Sequence, residues 1–174
     1  MTEPDRERLL EGTKFNVDRV AVPRRSGGTT PREVIVHPGA VVVLPILDDG
    51  SIVLIRNHRF AIDETLWELP AGTLDPDDGD PSNCAHRELR EETGYEAREI
   101  EHLLTFYSSP GICDEVLHAY VARGLVHKGA QLEETERIET HPLEEERVRE
   151  MMASAEIRDA KKLVALHHHF VSRA

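Results

Sequence analysis

Glu88, Glu91 and Glu92 stand three and four residues apart in the stretch Arg87-Glu88-Leu89-Arg90-Glu91-Glu92-Thr93-Gly94-Tyr95. On a helix this spacing brings the carboxylates to one side, while Ala85 and Leu89 turn toward a core. Like charges so close repel one another. A hard divalent cation such as Mg2+ relieves that repulsion, because it prefers carboxylate oxygens together with phosphates and retained waters. The alternative reading of the same spacing is a solvated acidic face, with Arg87 and Arg90 in surface ion pairs.

The elements that must position these residues are marked by their own punctuation. Asp80 as N-cap, Pro81 at the first helical position and Gly94 just past the end predict a helix over 81–93. Before it, ETLWELPAGTLDPDDGDP (64–81) is so rich in Gly, Pro and Asp that it reads as mostly loop, and a loop of that length usually has a function. Upstream, FNVDRVAV (15–22) and REVIVHPG (32–39) predict one hairpin. AVVVLPIL (40–47) and SIVLIRNH (51–58), joined by Asp48-Asp49-Gly50, predict a second. Strands are expected at 99–109, 115–124 and near 137–143, and helices at 143–155 and 158–171.

Gly72 through Tyr95 resembles the signature of the Nudix hydrolase family: a glycine, a short acidic loop, then Arg-Glu-apolar-x-Glu-Glu-x-Gly-apolar. The loop departs from that signature. The family's acidic loop residue is a Glu separated from the Arg by seven residues, and counting back from Arg87 on that spacing reaches Gly79; the loop carries one extra residue, and Asp78 is the substitute for that Glu. The resemblance implies that Glu88 and Glu92 ligate Mg2+ or Mn2+, with Glu91 assisting and the carbonyl of Ala71 as a further donor. It also implies that Arg87 orients the carboxylates by ion pairing. Arg56-Asn57-His58-Arg59 and Trp67-Glu68-Leu69-Pro70-Ala71-Gly72 are similar to blocks of the ADP-ribose pyrophosphatases of this family. There the basic residues reach the substrate, so Arg56, Arg59 and Trp67 are candidate substrate contacts, although a lone Trp is often core. Pro110 and Glu115, in a stretch similar to those enzymes' SPGxxDE block, complete the substrate set. The acidic run 133–139 corresponds to a mobile loop that carries a glutamate base in such enzymes, and Glu134 and Glu136 are the candidates.

The implied fold is α/β, the Nudix fold, a mixed β-sheet sandwiched between α-helices, with residues 1–14 as an N-terminal segment and 15–174 as one domain. The implied reaction is cleavage of ADP-ribose to AMP and ribose 5-phosphate by a homodimer. The alternatives are another nucleotide sugar, NADH, a dinucleoside polyphosphate, a damaged nucleoside triphosphate, or a non-catalytic regulator that binds ADP-ribose. Composition agrees with a small anionic substrate. A net charge of −12, from 33 acidic and 21 basic residues, disfavours nucleic acid but not a nucleotide held through a cation. Two cysteines and a charged first stretch without an apolar h-region predict a soluble, cytoplasmic protein with no membrane partner. His167-His168-His169 point in different directions on a helix and are expected at the surface, and Cys84 and Cys113 read as inert thiols.

Overall fold

The valine- and isoleucine-rich runs become strands in the computed structural model, which describes residues 6–132 and 137–172. β1 (Arg6–Glu11), β2 (Asn16–Pro23) and β3 (Thr29–Val36) form an antiparallel sheet in that order. β4 (Ala40–Pro45), β5 (Ile52–Arg59), β6 (Glu64–Glu68) and β7 (Ala71–Thr73) lead into helix α1 (Pro81–Thr93). After it come β8 (Tyr95–Glu96), β9 (Glu99–Tyr107), β10 (Val116–Arg123), β11 (Val126–His127) and β12 (Ile138–Leu143). Helices α2 (Glu145–Ala153) and α3 (Ala160–Val171) end the described chain.

The central sheet has the order β7-β4-β10-β9, with β4 and β10 parallel and the other pairs antiparallel. Every residue of β4 is buried, so its period-two alternation serves two cores. Val42 and Leu44 pack with Val148 and Met151 of α2 and with Ala165, Leu166 and Phe170 of α3. Val41 and Val43 pack with Cys84, Ala85 and Leu89 of α1. Helices therefore cover both faces of a mixed sheet, the expected Nudix layering.

Asp48-Asp49-Gly50 makes the expected turn, with Gly50 at φ 87° and the Leu47 N–H donating to Ser51 O at 2.9 Å. The strands it joins do not form a hairpin ladder. β4 is flanked by β7 and β10, whereas β5 belongs to a sheet ordered β12-β5-β6, and only an Ile46–Ile52 bridge links them. The local turn signal is satisfied, but β4 has no free edge left for β5. The segment 64–81 is likewise loop only in part. Its first five residues are β6, paired with β5, and Ala71–Thr73 are β7, paired with β4, because distant edges supply ladder partners that local composition cannot reveal. The N-terminal segment also contributes a strand, β1, on the edge of β2.

Candidate active site

Helix α1 is fixed at both ends as its sequence demands. Asp80 Oδ1 accepts from the Ser82 N–H at 2.8 Å, and Gly94, at φ 76°, donates its N–H to Arg90 O at 2.9 Å. Ala85 and Leu89 anchor one face in the core, and this sets the rotation that presents Glu88 and Glu92 to β7.

Both carboxylates converge on two consecutive residues of that short strand. Glu92 Oε2 accepts from the Ala71 N–H at 2.8 Å. The Glu88 carboxylate lies where a side chain of Gly72 would be; a Cβ built there would stand 1.9 Å from Glu88 Cδ. Glu88 and Glu92 are 9% and 4% exposed, which excludes the solvated-face reading for these two. Glu91 is less enclosed, its side chain 35% exposed.

Arg87 ties this group to the preceding loop. Its Nη1 donates to Glu88 Oε1 at 2.6 Å and Glu91 Oε2 at 3.2 Å. Its Nε and Nη2 donate to Asp78 Oδ1 and Oδ2 at 3.3 and 3.1 Å, a two-point clasp suited to a planar guanidinium. Partial burial would lower the Arg87 pKa, but the hydrogen bonds to Asp78 and the charge of Glu88 outweigh it and push the pKa up. The hydrogen bonds from Arg87 in turn hold the Asp78 carboxyl below its ordinary range. Asp78 thus meets Arg87 despite the extra loop residue. Cys84 Sγ lies 3.3 Å from Arg87 Nη2, yet the thiol is buried and desolvation raises its pKa, the opposite of a reactive cysteine.

Among the described residues no three His, Cys, Asp or Glu side chains already stand together at metal-ligand spacing. The donors nevertheless fit a hard divalent cation in kind. Glu88, Glu91 and Glu92 offer carboxylate oxygens, and the side chain missing at Gly72 makes the room in which Glu88 sits. Beside Arg87 and Glu88 opens a cleft of about 450 Å3, lined also by Lys14, Asn16, His37 and Asp75. Its lysine and histidine carried no sequence signal, because they come from the β1–β2 connection and the end of β3, far from the motif.

The remaining candidates are more dispersed. Arg59 and Arg56 are three residues apart on β5 and so point to opposite faces. Arg59 Nε and Nη2 grip Glu68 Oε1 and Oε2 at 2.7 and 2.5 Å. Those hydrogen bonds raise the Arg59 pKa against its desolvation, and the charges of Glu68, Glu92 and Asp159 add to the rise. The Arg56 guanidinium lies 5.4 Å from the centre of the Trp67 ring, and His141 meets that ring edge-on at 5.0 Å, so part of the indole surface is already covered. Glu115 approaches His37 at 3.8 Å, while Pro110 is exposed beside a separate hollow of about 210 Å3. None of Arg56, Arg59, Trp67, Pro110 and Glu115 lines the 450 Å3 cleft. Glu134 and Glu136 lie outside the described residues. In the histidine run, His167 and His168 are exposed as expected, but His169 is buried, because α3 turns it inward beside Phe170.

Comparison with known proteins converges on one family. The NUDIX domain model matches residues 36–170. The chain is 37% identical over 166 residues to the methanol dehydrogenase activator of Bacillus methanolicus, which spans 93% of this chain and 88% of that protein. It is 33% identical over 165 residues to the ADP-ribose pyrophosphatase of Bacillus subtilis (strain 168), spanning 94% and 89%. A crystal structure of an ADP compounds hydrolase shares the fold with a TM-score of 0.82 at 22% identity, over 97% of this chain and 92% of that one.

Proposed function

This chain belongs to the Nudix hydrolase family, and from that premise we propose that it hydrolyses the pyrophosphate bond of ADP-ribose, giving AMP and ribose 5-phosphate. The observation that carries the reading is the convergence of Glu88 and Glu92 on the Ala71–Gly72 backbone, under the grip of Arg87. The similarity to an ADP-ribose pyrophosphatase along nearly the whole chain supports the substrate.

In this reading Glu88 and Glu92, assisted by Glu91 and the carbonyl of Ala71, would hold Mg2+ or Mn2+. When bound there, such a cation would supply charge neutralisation at the diphosphate and a more acidic water. Arg87 keeps Glu88 and Glu91 in register, and Asp78 keeps Arg87 in place. Arg59, on the face of β5 that meets Glu68, directs positive charge toward the phosphates; Arg56, on the opposite face against Trp67, borders the substrate together with Trp67, Pro110 and Glu115, and Glu134 or Glu136 takes the proton. The water oxygen gains a bond to phosphorus, the bond from that phosphorus to the bridging oxygen breaks, and the departing phosphate carries the electron pair away.

The protein acts as a cytoplasmic homodimer on a small nucleotide, without nucleic acid or membrane. Exposed Leu9 and Leu10 on β1 support pairing of two copies. Among the described residues no helix is long and apolar enough to cross a membrane. Purified protein incubated with ADP-ribose and Mg2+ should release AMP and ribose 5-phosphate, and EDTA should stop it. A much stronger preference for a nucleoside triphosphate, NADH or another nucleotide sugar would reject the substrate, and binding of ADP-ribose without cleavage would reject the enzyme.

A further inference from the structure

Lys162 is fully buried in the first turn of α3, where both burial and the positive end of the helix disfavour an ammonium. Its Nζ has no hydrogen-bond partner and stands 3.7 Å from Glu68 Oε2, whose side chain is likewise sealed from solvent. The same carboxylate is already held at two points by Arg59. Glu68 is therefore flanked by two basic groups when one would neutralise it: Arg59, and Lys162, whose ammonium the carboxylate at 3.7 Å favours against burial. The second cation sits deep in the protein, whereas the Arg59 side chain is 40% exposed and close enough to Glu92 to feel its charge.

We propose that Lys162 is a positioning residue whose buried charge offsets Glu68, so that Arg59, although clasped by that carboxylate, keeps a net positive field toward the diphosphate of the substrate. Without Lys162 the Arg59–Glu68 pair would be neutral and would only hold its shape. With it the triad carries one positive charge beside the acidic helix, where an anionic substrate must come close to three glutamates. Burial holds the Lys162 pKa below its ordinary value, with Lys161 and Arg59 acting in the same direction, while the carboxylates of Glu68 and Asp159 oppose the shift and favour the ammonium. This inference rests on the pyrophosphohydrolase reading above.

Lys162→Met removes the charge and keeps the length, and it leaves Glu68 paired with Arg59, so no buried charge is orphaned and the variant should fold. Near neutral pH its KM for ADP-ribose should rise roughly five- to tenfold with kcat changed less than twofold, and its Kd for ADP with Mg2+ should rise in parallel, as expected for one unit charge acting through a partly polar medium. Lys162→Arg should restore wild-type KM whatever its melting temperature. If the Met variant does not fold, Lys162→Gln serves in its place. KM and Kd unchanged in the neutral variant, or KM following melting temperature instead of charge across the set, would each overturn the proposal. A wild-type protein that neither cleaves ADP-ribose nor binds ADP would instead overturn the functional reading beneath it.

Discussion

Gly72 and Glu88 occupy one space: the carboxylate of Glu88 fills the position that any side chain at residue 72 would need, with a built Cβ only 1.9 Å from Glu88 Cδ and 2.4 Å from Oε2. The obstruction is the end of a flexible side chain, so a substitution can be absorbed by expelling Glu88 while the strand remains intact.

Gly72→Ala should therefore keep the fold and lose the chemistry. The expected result is a drop in kcat/KM of about a hundredfold with a melting temperature lowered by only a few degrees, the pattern of a displaced cation ligand rather than a disrupted core. Steady-state kinetics beside a thermal melt would show it, and wild-type turnover in this variant would contradict the Glu88 assignment.

Glu92 hydrogen-bonds the Ala71 N–H through Oε2, and a glutamine can keep that bond through its amide oxygen. Glu92→Gln should thus fold normally but bind Mn2+ at least tenfold more weakly and turn over ADP-ribose about a hundredfold more slowly. Titration calorimetry with Mn2+ reads the first effect independently of activity. Removal of the cation from wild-type protein with EDTA, followed by readdition of Mg2+, should abolish and then restore activity.

Asp78 and its two-point clasp on Arg87 lie one step behind the carboxylates. Asp78→Asn should lower kcat about tenfold by letting Arg87, and with it Glu88 and Glu91, drift. Asp78→Glu should not improve on wild type, because the loop with its extra residue is already the right length for the shorter acid. A glutamate variant faster than wild type would show that the loop is strained.

The same pair gives a pH dependence of stability. Hydrogen bonds from Arg87 hold the Asp78 pKa below its unfolded value of about 3.9. A depressed carboxylate stabilises the fold fully above the unfolded pKa, and that contribution disappears as pH falls through the lower, folded value. Chemical denaturation at stepped pH should find wild type losing its advantage over Asp78→Asn only in this acid window, and equal losses for both proteins would break the link.

Much of the helix was legible because its determinants are local. Asp80, Pro81 and Gly94 specify its ends within a turn, and the spacing of Glu88, Glu91 and Glu92 specifies their common side whatever surrounds them. The strand partners were less legible. The Asp48-Asp49-Gly50 turn formed as read, yet β4 and β5 entered different sheets, because a turn sets the direction of the chain and not which edge is open to receive it.

The sequence by itself determined the family, the layered fold and the acidic helix, since periodicity, caps and a spaced motif are properties of neighbouring residues. Only the tertiary structure decided that Glu88 and Glu92 are buried against Ala71 and Gly72, that Asp78 reaches Arg87 across a lengthened loop, and that Lys162 stands behind Glu68. These contacts join segments nine to ninety-four residues apart, and their existence depends on how whole elements pack. Burial then multiplies the strength of each charge pair, which no reading of residue types along the chain can supply.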